Sequence, residues 1–205
     1  GMGSSAAVSI AAIRGVLDYF NRKVDNMTLE KLVNEAEIIA HNTPSGLDAK
    51  TCLSDSAIKF IKNKGFKNLD MNLGAYLLIA DTGIHGHTRD AIMNIKNMRN
   101  KALPMLEKLG KLTEETEKFI EKKDVVNIGK NMISAHEELK RLGVSIEKSD
   151  ILVKTAIDEG AYGSKMSGGG LGGCIIALME SREKAEMTGK KLMEKGAVNI
   201  WIEAL

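Results

Sequence analysis

Two glycine-rich runs and two carboxylates are the groups in this sequence that could handle phosphate. The chain opens on Gly1-Met2-Gly3-Ser4-Ser5-Ala6-Ala7, small residues directly ahead of a helical pattern. A helix amino terminus presents unpaired backbone N–H groups and the positive end of the helix dipole, so such a start attracts anions. Glycine lets the backbone approach phosphate oxygens, and a serine hydroxyl at the helix start can ligate Mg²⁺ as the P-loop residue does. No lysine follows these glycines, so the run is not a Walker loop; its plain alternative is a serine-capped helix behind a glycine turn. The second run, Ser167-Gly168-Gly169-Gly170-Leu171-Gly172-Gly173-Cys174, lies between a helix terminator and an apolar stretch, too confined for a flexible linker. Backbone must pass close to something there, either another strand or a polyphosphate.

The carboxylates are Glu37 and Asp48. With Leu29 as reference and about 100° per residue, Glu37 lies about 80° away, at the margin of an apolar stripe, whereas Glu35 points about 240° away into solvent. A carboxylate at the edge of a core can serve as an oxygen ligand for Mg²⁺; the alternative is an ordinary salt bridge. His41, further round the same helix, reads as a structural histidine. Pro44-Ser45-Gly46-Leu47-Asp48 follows, a tight turn expected to project Asp48 from irregular backbone. Phosphoryl transfer to an alcohol needs a carboxylate near the hydroxyl and charges that hold the phosphates in line, so Asp48 is the candidate base. Lys50 could lower its pKa or simply face water. His85-Gly86-His87-Thr88 is a two-histidine loop better read as a cap than as a metal site, since Mg²⁺ prefers oxygen.

The elements that must position these groups follow from periodicity. Apolar residues at 6, 7, 10, 13, 16, 17 and 20 predict a first helix. Thr28 is the expected cap of a second, with Leu29, Leu32, Val33, Ala36 and Ala40 as its stripe. Short strands or turns fill Leu53 to Leu73, and AYLLIA at 75–80 suits a buried strand. Arg89 to Glu159 is helical in four blocks broken near Pro104, Lys123 and Gly143, with Gly160 as terminator. After the second glycine run come an apolar strand in CIIALM, a helix over 183–195 and a last strand in AVNIWIEA. The order is strand, helices, strand, helix, strand, with a domain boundary near residue 74.

Bulk composition narrows the class. At 205 residues with 43% hydrophobic and 27% charged, the chain can bury a sizeable core and reads as a folded enzyme. A net charge of +2 gives no broad basic surface, so no nucleic-acid partner is expected. No stretch approaches the roughly 20 apolar residues of a membrane span, which predicts a cytoplasmic protein without a membrane partner. Cys52 and Cys174 lack metal or disulfide spacing and read as two buried free thiols. The methionines, Met93, Met98 and Met132 among them, read as core filler.

Taken in order and at their spacing, these motifs resemble the family that includes galactokinase, homoserine kinase, mevalonate kinase and phosphomevalonate kinase. GMGSSAA resembles its second motif and KMSGGGLGGC its third, while EAEIIAHNTPSGLD and ADTGIHGHTRD are similar to segments of mevalonate kinases of the bacterial type. The resemblance implies an α+β, two-domain small-molecule kinase fold: a truncated domain like domain 2 of ribosomal protein S5 over 1–74, then a ferredoxin-like domain over 75–205, with ATP in the cleft between. It implies transfer of the γ-phosphoryl of MgATP to the primary hydroxyl of mevalonate, in isoprenoid biosynthesis. By matching position, Gly1, Gly3, Ser4, Ser5 and Ala6, with Gly168, Gly169, Gly170 and Gly172, hold ATP phosphates. The same resemblance implies that Ser5 and Glu37 hold Mg²⁺, that Asp48 is catalytic, and that Ser45, Asp48 and Thr88 meet the substrate.

Phosphomevalonate kinase, a sugar kinase on the same scaffold and a non-catalytic metabolite-binding module are the alternatives; Asp48 speaks against homoserine kinase. This chain has Thr43 where the family usually has Asn, and Ser167-Gly168-Gly169 where it usually has Thr-Gly-Ala. The family's first motif, with its amino-terminal lysine, has no counterpart in the 205 residues. The expectation is therefore a truncated chain, inactive alone, whose bare apolar faces drive homo-oligomer formation.

Overall fold

The computed structural model describes residues 2–41 and 45–205, apart from the side chains of residues 40 and 41. Gly1, Thr43 and Pro44, and the His41 side chain, lie outside that description. Chain contacts divide the rest into two units, Met2–Asp70 and Met71–Leu205.

The first unit contains α1 (Ser4–Tyr19), α2 (Asn26–His41), α3 (Leu47–Cys52) and a hairpin of β1 (Ala57–Ile61) with β2 (Gly65–Leu69). Its core is Ala6 and Ile10 of α1, Leu29 and Val33 of α2, and Ala49 of α3. The i,i+4 pairs on α1 and α2 put one face of each helix into that cluster.

Several local expectations need correction. Asp25, not Thr28, caps α2: its Oδ1 accepts the Thr28 N–H at 2.7 Å, and bonds from Thr28 hold the Asp25 carboxyl below its ordinary value. Leu32 is 43% exposed, so the buried stripe of α2 closes with Glu37 instead. Asp48 does not stand on irregular backbone; it lies in the first turn of α3, behind Gly46 in left-handed conformation at φ 86°. Lys50 neither faces open water nor serves Asp48. It pairs with Glu30 Oε2 at 2.9 Å and lies 4.0 Å over the Phe66 ring, tying α3 to α2 and β2.

The second unit runs β3 (Tyr76–Asp81), α4 (Thr88–Met98), a 3₁₀ turn (Arg99–Ala102), α5 (Leu103–Glu121), α6 (Val125–Arg141), α7 (Glu147–Asp158), β4 (Gly163–Met166), β5 (Cys174–Met179), α8 (Arg182–Glu194) and β6 (Asn199–Ala204). The sheet order is β4-β5-β3-β6 with every neighbour antiparallel. Strand, helices, hairpin, helix, strand in that order is the ferredoxin-like split βαβ arrangement. One face, Leu78 and Ala80 with Ile175, Ala177 and Met179, packs on Leu152, Val153 and Ala156 of α7 and Ala185 and Leu192 of α8.

The helical break expected near Pro104 falls at Arg99, at φ 51°, because Pro104 sits in the first turn of α5, where its missing N–H costs no bond. Strand β4 carries no sequence signal; Gly-Ser-Lys-Met has neither alternation nor branching and is a strand through pairing with apolar β5. Helix α6 lies against β4 so closely that a Cβ on Gly163 would stand 1.9 Å from the Gly129 carbonyl oxygen. Buried His136 of α6 accepts the Met166 N–H at Nδ1, 3.4 Å, with Nε2 3.1 Å from Asp150 Oδ1 of α7.

Cys174 is buried in β5, but Cys52 is exposed, contrary to the reading of two buried thiols. No helix among the described residues is long and apolar enough to cross a membrane.

Candidate functional site

In the first unit the chemistry gathers at the amino terminus of α1. Gly3 adopts left-handed backbone, φ 67° and ψ 25°, and no side chain caps the helix behind it. The N–H groups of the first turn, over Ser4, Ser5 and Ala6, therefore have no intrahelical acceptor. Ser5 Oγ donates to Glu37 Oε1 at 2.6 Å, which joins α1 to α2. Glu37 is 3% exposed and Glu35 is exposed, as the 3.6 period requires. Asp48 is exposed. A Cβ built on Gly3 would lie 3.7 Å from the Asp48 Cβ and 3.3 Å from the Cys52 Sγ, so the loop and the first turn of α3 are neighbours. Ser45 is exposed, and its Oγ accepts the Leu47 N–H at 3.1 Å, opening α3.

Cys52 was not singled out as part of this group. Its Sγ lies 3.7 Å from the Gly3 carbonyl, at weak hydrogen-bond range for sulfur. Partial desolvation first, then the charges of Asp48 and Glu37, push its thiol pKa up. The Ser5–Glu37 bond at the start of α1 and the approach of Asp48 and Cys52 to Gly3 place these four residues around one loop. Ser5 and Glu37 present hard oxygens 2.6 Å apart, a few tenths of an ångström short of the roughly 3.0 Å between adjacent ligands of an octahedral ion with bonds of about 2.1 Å. The donor set fits Mg²⁺.

The second glycine run belongs to the other unit, and there the question of what approaches it has a partial answer. A Cβ on Gly169 would sit 2.7 Å from Thr88 Oγ1, one on Gly170 2.3 Å from the Val144 carbonyl oxygen, and one on Gly172 2.5 Å from that of Ile84. Protein backbone and Thr88 thus demand these glycines before any ligand does. Gly168, Gly170, Gly172 and Gly173 all have positive φ, which a side chain would strain. Thr88 is exposed and is the first residue of α4. Thr82, 3% exposed, was missed by sequence reasoning; its Oγ1 donates to the Gly173 carbonyl at 2.6 Å and accepts the Ile84 N–H at 3.2 Å. With Leu171 N–H on the Val144 carbonyl at 2.8 Å and Gly173 N–H on that of Ile84 at 2.7 Å, the run is locked. Ser167 N–H bonds the Cys174 carbonyl at 2.9 Å, while Gly168, Gly169, Gly170 and Gly172 N–H have no partner among the described residues.

Residues 1–55 match the family model described as the GHMP kinases N terminal domain, and residues 116–197 match that described as GHMP kinases C terminal. The chain belongs to the GHMP kinases. Curated relatives of this GHMP kinase chain include a mevalonate kinase of Aeropyrum pernix, 32% identical over 191 residues, covering 89% of this chain and 58% of the relative. Another is a mevalonate kinase of Pyrococcus horikoshii, 29% identical over 201 residues, covering 94% of this chain and 59% of the relative. The chain thus spans a little under three-fifths of these relatives. The crystal structure of L. major mevalonate kinase in complex with R-mevalonate superposes with a TM-score of 0.87 at 24% identity, covering 98% of this chain and 64% of that one. At that identity the likeness bears on the fold alone, and it agrees with the α+β, two-domain expectation.

Proposed function

We propose that this GHMP kinase chain is the larger part of a mevalonate kinase that transfers the γ-phosphoryl of MgATP to the primary hydroxyl of mevalonate, a step of isoprenoid biosynthesis. The observation that carries the reading is the Ser5–Glu37 bond of 2.6 Å beside Asp48 at an uncapped helix start. The relatives named above support the choice of substrate. In this reading residues 1–74 are the remainder of an amino-terminal kinase domain and 75–205 the carboxyl-terminal one.

MgATP supplies the phosphoryl group. First-turn N–H groups of Ser4, Ser5 and Ala6, with Gly3 shaping the loop and Gly1 assigned to it by the resemblance alone, bind its phosphates, and Gly168, Gly169, Gly170 and Gly172 bind them from the second run. Ser5 and Glu37 hold Mg²⁺ through their oxygens. Asp48 takes the proton of the substrate hydroxyl, whose oxygen then attacks phosphorus as ADP departs, while Ser45 and Thr88 orient the substrate. Phosphomevalonate kinase and sugar kinases share the same chemistry. A chain of the relatives' full length, assayed against mevalonate, phosphomevalonate and galactose, turns over mevalonate fastest; a preference for another acceptor displaces the assignment.

Ser5→Ala and Glu37→Gln each remove a ligand or its charge. In that full-length enzyme each raises the Mg²⁺ concentration for half-maximal rate by about tenfold, close to 1.4 kcal/mol, the order expected for one charge-assisted oxygen contact. A Mg²⁺ titration unchanged in both variants removes the pair from the metal site.

Homo-oligomer formation is part of the same reading. Val8, Val16 and Tyr19 of α1 and Met27 and Ile39 of α2 are exposed apolar side chains on adjacent helices, the surface a second copy would cover. Size-exclusion chromatography with light scattering yields a dimer or larger species; a monomer at high concentration rejects it.

A further inference from the structure

Lys165 stands two residues ahead of the second glycine run, on edge strand β4, and the reading above gives it no task. In the strand's alternation it lies opposite Ser164 and Met166, whose side chains are buried, and on the face of its register partner Ile176. Met166 is sealed in a cluster with Ala91, Met105, Leu142 and Val144, so the lysine cannot reach that side. Its Nζ turns back instead and donates to the Met166 carbonyl at 2.7 Å, which holds the ammonium at the entrance to Ser167 and the glycines.

That carbonyl is a poor match for what an ammonium needs. An –NH₃⁺ has three donors, and a carbonyl oxygen satisfies one. No carboxylate pairs with Lys165 among the described residues, and burial alone, offset by no opposite charge, pulls its pKa below the ordinary lysine value. A charge drawn even partly out of water is normally paired or bound to a ligand, because leaving it without a partner is costly, and Lys165 is half-buried. Elsewhere in this unit the rule holds: the buried carboxylate Glu138 takes both Lys108 and Arg141.

The neighbouring loop has the same imbalance. Gly168, Gly169, Gly170 and Gly172 N–H groups lack acceptors among the described residues, and Thr82, Val144 and Ile84 fix the loop in that form. Donors left over on the side chain that bonds the Met166 carbonyl, and on the backbone that begins two residues further on, call for the same complement, an anion rich in acceptor oxygens.

We propose that Lys165 is a phosphate ligand, its ammonium and the glycine-run N–H groups together taking a phosphate of the bound nucleotide. The inference rests on the reading of the glycine run as a polyphosphate site. It assigns the run the cation that the first glycine run lacks, placed before the glycines on a strand rather than after them on a helix.

The test measures binding of MgATP and of inorganic tripolyphosphate to the 205-residue chain by calorimetry, with melting temperatures taken without ligand. Lys165→Met weakens tripolyphosphate at least about tenfold with a melting temperature within about 2 °C of the parent, and Lys165→Arg recovers most of the affinity. If Lys165→Met binds tripolyphosphate like the parent, the lysine is no ligand and the inference is overturned while the nucleotide site stands. If both variants lose affinity together with several degrees of melting temperature, Lys165 is a clamp on the Met166 carbonyl and the inference is again wrong. If the parent binds neither MgATP nor tripolyphosphate, the polyphosphate reading itself fails and takes the inference with it.

Discussion

Replacing Asp48 by Ala in a chain of the relatives' full length lowers kcat by on the order of 10² or more and leaves MgATP affinity largely intact. The reason is positional. Asp48 occupies the first turn of α3, exposed, next to the Gly3 loop, whereas the oxygens proposed for the metal belong to Ser5 and Glu37 on α1 and α2. In the proposed mechanism, removing its side chain strips the proton acceptor and leaves in place the backbone N–H groups assigned to the phosphates. Asp48→Asn keeps the shape and loses the basicity, and it falls as far. Steady-state kinetics with a parallel nucleotide-binding measurement checks both halves, and turnover unchanged in either variant removes Asp48 from the mechanism.

Gly163→Ala destabilises the second unit by about 3 kcal/mol, at the upper end of the overpacking range, which corresponds to roughly 6–12 °C in melting temperature for a domain of this size. The added methyl has nowhere to go: it would lie 1.9 Å from the Gly129 carbonyl oxygen and 2.6 Å from the Gly129 Cα, all backbone. Helix α6 must lift off β4, breaking the His136–Met166 bond, and β4 leads directly into the glycine run. Gly110→Ala is the control, since nothing lies within 4 Å of a Cβ there and a helical alanine is favoured over glycine by about 1 kcal/mol. Thermal melts of the two variants should move in opposite directions; a Gly163→Ala melt equal to the parent would show that the α6–β4 packing is looser than described.

What could be read from the sequence was whatever has a period or a fixed offset. Glu37 is the clearest case, because an angle on a helical wheel is enough to tell it from Glu35, and the structure buries one and exposes the other. Lys123 and Gly143 mark the ends of α5 and α6 as positive-φ residues should. Features set by partners distant in sequence were not legible. Strand β4 depends on pairing with β5, Lys50 on Glu30 and Phe66, Cys52 on the Gly3 loop, and the short helix under Asp48 on packing of Ala49 against α1 and α2. Asp25 and Thr28 could both cap a helix by residue type, and only the bond from the Thr28 N–H decides between them. The glycine run left two readings open, and both survive: three of its glycines are required by Thr88, Val144 and Ile84, while four of its N–H groups have no acceptor among the described residues.

In the proposed function both glycine runs serve one nucleotide. That claim is tested most directly by titrating the ¹⁵N-labelled chain with MgATP and following backbone amides of Ser4, Ser5 and Ala6 together with those of Gly168, Gly169, Gly170 and Gly172. The account requires both sets to shift along a single saturation curve with one dissociation constant. Shifts in one set alone, or two curves with separate constants, would contradict it.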